Sequence, residues 1–201
     1  MPTTKTLRPQ SVDRAEITIE HHQPHQMPWG NPLAWMAVLR IATGFVFLWA
    51  FLDKAFGLGY STPSERAWTN GGSPTRGFLS NIDVGPFAST FRSWAGDAWA
   101  DWLFMIGLAA VGVAVALGVG LRLAAISGSV LMALMWMAEW HPARFTSGGE
   151  ITGSTNPLVG YHVIYALVLV VLAVTSAGDH WGLGQAWRRL PFVQRFASIL
   201  R

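Results

Sequence analysis

Residues 102–140 read WLFMIGLAAVGVAVALGVGLRLAAISGSVLMALMWMAEW, and Arg122 and Glu139 are the only formal charges among them. As one helix the stretch would be roughly 58 Å long at about 1.5 Å per residue. That is nearly twice the roughly 30 Å of a bilayer's hydrocarbon core. The stretch must therefore fold back on itself. Gly118 and Gly120 relax the helix and Arg122 needs water, so the turn belongs there. Two spans are predicted, at about 102–120 and 123–139.

Working outward, Leu33 to Leu52 is a second apolar run, broken only by Arg40. A further one occupies about 158–175 and is ended by Ser176, Gly178 and Asp179. The expected fold is an all-α integral membrane protein, a four-transmembrane-helix bundle over 31–186. Short interfacial helices are expected in the outer loop and at the C-terminus.

Composition agrees with lipid as the outer solvent. Of 201 residues, 51% are hydrophobic and only 12% are charged, with eleven tryptophans. Soluble proteins carry roughly 25% charged residues. The chain has no cysteine, which excludes thiolate chemistry, Cys-ligated iron–sulfur clusters and c-type haem attachment. No basic run is interleaved with aromatics on a polar domain, so no nucleic-acid partner is expected. Residues 1–30 are polar and rich in Pro and His, and read as a disordered cytoplasmic arm. His21, His22 and His25 in that arm are read as solvated residues rather than a metal site.

Four spans place Lys5, Arg8, Arg14, Arg40, Arg122, Arg188, Arg189, Arg195 and Arg201 on one side. Lys54, Arg66, Arg76, Arg92 and Arg144 fall on the other. The positive-inside rule makes the first side cytoplasmic, with both termini inside. Residues 187–201 then form an amphipathic inner-leaflet segment, broken or restarted at Pro191. The 53–101 loop faces outward and should fold over the bundle, and its 85–94 segment is expected to lie on the outer leaflet with Phe87, Phe91 and Trp94 inward. In the second span Ala110, Ala114 and Gly118 make one small-residue stripe, and Gly112, Ala116 and Gly120 another. Small residues allow close helix approach.

Ionisable residues inside a membrane are functional candidates. Arg40 either snorkels to inner phosphates or faces inward, where it binds an anionic or quinone-type headgroup or pairs with another span. At the outer end Asp53, Lys54, Glu139, Trp140, His141, Asn156, His162 and Tyr165 converge by topology, with Trp49 nearby. His162, Glu139 and Asp53 are the expected proton-transfer groups, since imidazole and carboxylate suit that work. Arg40, Trp49, Lys54, Trp140, His141, Asn156 and Tyr165 are the expected ring-binding residues. His162 lies about one turn inside the hydrocarbon boundary, with Tyr165, Glu139 or Asp53 as expected partners. It is either part of a site or a satisfied structural histidine. Tyr161 is read as part of the aromatic belt. No haem and no metal are expected.

The order FLWAFLDKAFG, NGGSPTRGFLS, GPFASTF, DWLFMIGLAAVGVAVALGVGLRLAA, MWMAEW, TNPLVGYHVIYALVLVVLA and WGLG resembles the DoxX/DoxD family, over about residues 35–190. These are small four-span bacterial membrane proteins. The branch it is most similar to is the DoxD-like subunit of thiosulfate:quinone oxidoreductase. The resemblance implies a plasma-membrane subunit that passes electrons to quinone, with a soluble redox partner or a second copy as expected partners. Val159 and Gly160 stand where relatives often carry an acidic residue before the histidine. Two other functions stay open: a non-catalytic scaffold that docks a soluble redox or stress-response enzyme, and a small-solute or lipid-handling permease.

Overall fold

A computed structural model describes residues 30–200. Residues 1–29, including His21, His22 and His25, and Arg201 lie outside them. The residues from Asn31 onward form one unit. Its helices are α1 (Pro32–Phe56), α2 (Arg76–Leu79), α3 (Ala88–Ser93), α4 (Ala98–Leu117), α5 (Leu121–Glu139), α6 (Tyr161–Val174), α7 (Gly184–Arg188), α8 (Pro191–Arg195) and α9 (Ala197–Leu200). Among the described residues there is no strand, only a single antiparallel bridge between Phe145 and Ile151.

Three helices, α1, α4 and α5, are long and apolar enough to cross a membrane. Each has a legible start or stop. The Asn31 side chain accepts from the Leu33 N–H with Pro32 at the first helical position, and Gly57 ends α1 in the left-handed region. The reversal between α4 and α5 uses Gly118 (φ 75°) and Gly120 (φ 56°), a conformation that glycine adopts without a Cβ penalty. The fourth apolar helix, α6, has 14 residues and is about 21 Å long. It is shorter than the expected 158–175 because Leu158 and Val159 belong to a turn. The Asn156 Oδ1 accepts from both of their N–H groups at 2.9 Å. At the other end the chain leaves the helix at Ser176, with φ 50°.

Packing relies on small residues at the crossings. Helices α1 and α4 meet backbone to backbone. A Cβ on Gly44 would lie 2.4 Å from the Ala116 nitrogen, and one on Gly112 would lie 2.6 Å from the Leu48 nitrogen. Of the two small stripes, the one with Gly112 and Ala116 therefore faces α1. On α5, a Cβ at Gly128 would meet Leu169 of α6 at 2.5 Å. Phe47, Leu108, Val111, Val115, Met132, Leu169 and Leu172 fill the core between the four helices. Outward, Phe45, Leu103, Ile106, Ile126, Val130, Leu167 and Val174 are exposed, an apolar girdle that water would penalise and lipid would not.

At the end of the bundle holding the α4–α5 turn, Arg40 is fully buried. Its Nη1 donates to the carbonyls of Val115, at 2.9 Å, and Ala116, and its Nη2 donates to that of Trp181 at 2.8 Å. The last carbonyls of a helix lack intrahelical partners, and the guanidinium takes two of them. Of the sequence readings of Arg40, the structure shows the pairing with another span. It neither reaches headgroups nor lines a ligand site, because its donors close the end of α4 and anchor the 177–183 segment. Gly118 and Gly182 make room for it: a Cβ on Gly118 would come 3.0 Å from Nη1, and one on Gly182 would come 3.1 Å from Nη2.

The 57–97 segment folds against the other end of the bundle through 3₁₀ turns, α2 and α3. Ile82, Ala88 and Phe91 pack with Ala138, while Phe87 is 49% exposed and is not part of that cluster. Asp101 on α4 fastens the segment: its Oδ1 accepts from the Thr75 N–H at 2.9 Å, Thr75 Oγ1 at 2.6 Å and Ser73 Oγ at 2.9 Å. Near the C-terminus Pro191 starts α8, and α9 packs on α5.

Candidate functional site

Glu139 and His141 are separated by one residue, and on a continuing helix side chains at that spacing point apart. The helix does not continue. Trp140 caps α5 in the left-handed region at φ 39°, its N–H bonded to the Trp136 carbonyl at 3.0 Å. A non-glycine residue there costs about 1–2 kcal/mol. The turn swings His141 back, so that its Nε2 lies 3.5 Å from Glu139 Oε2, with its ring parallel to that of Trp136.

The start of α6 supplies the other half. The Tyr161 hydroxyl donates to Glu139 Oε1 at 2.6 Å, and the Tyr161 ring lies 4.0 Å from that of His162. His162 is 1% exposed, and its Nδ1 stands 3.8 Å from Glu139 Oε2. That is beyond hydrogen-bond range. Both His162 nitrogens and His141 Nδ1 are buried with no hydrogen-bond partner among the described residues. Each such group left unpaired costs about 1–3 kcal/mol.

Two cavities meet at this cluster. One, of about 540 Å³, lies between α4, α5 and the 57–97 segment and is lined by Phe78, Phe91, Trp94, Trp99, Leu103, Phe104, Val130 and Leu134. Lys54, Glu139 and Tyr161 are the ionisable side chains on its wall. The other, of about 480 Å³, is polar and is lined by Glu139, His141, Thr152, Ser154, Thr155, Asn156 and Tyr161.

Of the residues expected from sequence, Glu139, His141 and His162 are brought together, within 4.8 Å by their ligand atoms. Lys54 lines the apolar cavity and Asn156 the polar one. Asp53 is not part of the cluster. It is buried and accepts from the Tyr60 N–H at 3.2 Å, the Ser61 N–H at 3.0 Å and Ser61 Oγ at 2.6 Å, holding the turn that follows α1. Tyr165 packs on Phe47 and Tyr161 and gives His162 no hydrogen bond. Trp49 contacts Phe45 and Tyr60 and lines neither cavity. Trp140 acts through its backbone turn and also lines neither. Tyr161, read from sequence as an aromatic-belt residue, belongs to the site. Its signal was its place beside His162 at the start of an apolar run. Comparison with protein-family models, curated proteins and solved structures gives no match to this chain.

Proposed function

We propose that the chain is a four-helix membrane subunit of a quinone-linked oxidoreductase, of the DoxD-like type that its sequence resembles. The observation that carries the reading is the apolar cavity with Lys54, Glu139 and Tyr161 on its wall. A quinone needs a flat apolar slot for its ring and tail, and donors or acceptors at its carbonyls. Aromatic rings supply the first here, and ammonium, carboxylate and phenol the second. Leu103 and Val130 on the cavity wall are 64% and 55% exposed on the outer face of the bundle, so the slot opens sideways, where a lipid-dissolved ligand would arrive. Glu139 and His141 are suited to exchange protons with the polar cleft, and a soluble redox partner supplies electrons.

In this reading α6 is the fourth span. Its outward face is apolar, and its short length is accommodated by local thinning of the bilayer. In the same reading the excess of basic residues on one side favours both termini in the cytoplasm of a bacterium, and a reporter joined after Arg201 should be active only there.

The test is binding of a quinone analogue to the purified protein in nanodiscs, read by quenching of Trp94 and Trp99. Glu139→Gln and Lys54→Met should each weaken binding by the worth of one buried hydrogen bond, about 1–3 kcal/mol or roughly 5- to 150-fold. No binding to the unaltered protein would overturn the reading and leave the scaffold function standing.

A further inference from the structure

We infer that Glu139, His141 and His162 form a binding site for a divalent first-row transition-metal ion, open to the polar cleft. The proposal does not rest on the quinone reading. Two imidazoles and one carboxylate are the protein ligands of many catalytic zinc sites and of non-haem ferrous sites. Zinc–nitrogen and zinc–oxygen bonds are about 2.0–2.2 Å, which sets neighbouring donors in a tetrahedral site roughly 3.3–3.5 Å apart. The Glu139 Oε2 to His141 Nε2 separation is 3.5 Å and that to His162 Nδ1 is 3.8 Å. All three donors lie within 4.8 Å of one another. The two carboxylate–imidazole separations need a contraction of a few tenths of an ångström or less, and the two imidazoles, no more than 4.8 Å apart, close by a side-chain rotation.

Three independent features point to a cation rather than to simple packing. His162 is buried with neither nitrogen hydrogen-bonded, although a structural histidine in that position would be expected to have a partner. Tyr161 holds Glu139 Oε1 at 2.6 Å, which leaves Oε2 facing both rings, as a supporting hydrogen bond does for a ligating carboxylate. Gly160 has no side chain where one would come 2.6 Å from His141 Nε2. Glu139 and His141 both line the polar cleft, so the remaining coordination position is reachable from it.

The test is a Co²⁺ titration of the full chain in detergent, purified with a tag free of histidine. His21, His22 and His25 are replaced by alanine so that the N-terminal imidazoles do not contribute. The expected result is one Co²⁺ per chain, with visible d–d bands that Zn²⁺ abolishes. His141→Ala and Glu139→Gln should each weaken binding by about 100-fold or more. Tyr161→Phe should weaken it by about 10- to 100-fold, the usual effect of losing a supporting group. His141 and Glu139 are partly exposed, so these variants keep the fold even if His162→Ala does not. Absence of the bands in the parent protein, or an unchanged affinity in both His141→Ala and Glu139→Gln, overturns the proposal.

Discussion

Gly160 lies directly against the His141 imidazole, and a Cβ on it would come 2.6 Å from Nε2 and 3.0 Å from Cδ2. The backbone at Gly160 is extended, with φ −90° and ψ 177°, so alanine is allowed there by conformation. What alanine cannot do is share the space. Gly160→Ala should therefore displace His141 while leaving the helices in place. The expected result is a Co²⁺ affinity lowered by about 10-fold or more with a melting temperature within a few degrees of the parent, on the scale of small packing changes. A changed melting temperature with unchanged Co²⁺ affinity would mean that the histidine had not moved.

Arg40 should be a stability residue and not a ligand residue. Arg40→Ala removes the partner of the Ala116 and Trp181 carbonyls and leaves that of Val115 with only the Gly118 N–H. Each buried carbonyl left without a partner costs about 1–3 kcal/mol. Arg40→Lys should recover only part of this, because an ammonium cannot reproduce the planar fork. Thermal unfolding in detergent measures both. Whatever fraction of Arg40→Lys folds should bind quinone analogue as the parent does, since Arg40 does not line the cavity.

The α1–α4 crossing allows a paired comparison. Gly44→Ala puts a Cβ 2.4 Å from the Ala116 backbone, whereas a Cβ on Gly107, in α4, meets nothing nearer than Leu131 Cδ2 at 3.8 Å. The first should destabilise by about 1–3 kcal/mol through overpacking. The second should be neutral or stabilise by about 0.5–1 kcal/mol, because alanine favours the helix. Denaturation of the two variants side by side separates crowding from helix propensity. Equal effects would refute the close crossing.

Acidification should release one loop from another. The Ser147 hydroxyl and N–H both donate to the Asp83 carboxylate, with Arg92 a weaker electrostatic aid, and together they hold Asp83 below the usual carboxylate range. A folded-state value depressed below the unfolded one stabilises the contact above the unfolded value, about 3.9. The stabilisation fades as pH falls through the lower folded value. Amide exchange over 145–151 should therefore speed up on acidification below about pH 4, relative to the helices. In Asp83→Asn it should be fast at neutral pH and lose that dependence.

The sequence made the helices legible because membrane geometry is arithmetic. A 39-residue apolar stretch cannot cross once, and glycines mark where it turns. It also brought Glu139, His141 and His162 to one end, since topology alone sorts residues by depth. What it could not show was which groups already had partners. Asp53 looks as available as Glu139 in a linear reading, yet the turn at Tyr60 and Ser61 occupies its oxygens. Glu139 and His141 look divergent at their spacing, and only the left-handed backbone at Trp140 makes them converge. The length of α6 was misjudged for a similar reason. Leu158 and Val159 are apolar, but a single Asn156 oxygen takes their N–H groups out of the helix.

The Arg40 anchor also has a consequence for how the chain is made. Its carbonyl partners lie 75, 76 and 141 residues downstream. At a synthesis rate of about 5–20 residues per second, roughly 7–28 s separate Arg40 from Trp181. For roughly the first half of it, about 4–15 s, α1 exists with a guanidinium whose eventual partners are not yet made. Water or lipid phosphate must solvate it until Val115 and Ala116 follow, and Nη2 waits for Trp181. The arginine that is buried in the finished protein thus starts solvated in its precursor, and the arrival of α4 and then of the 177–183 segment draws it inward.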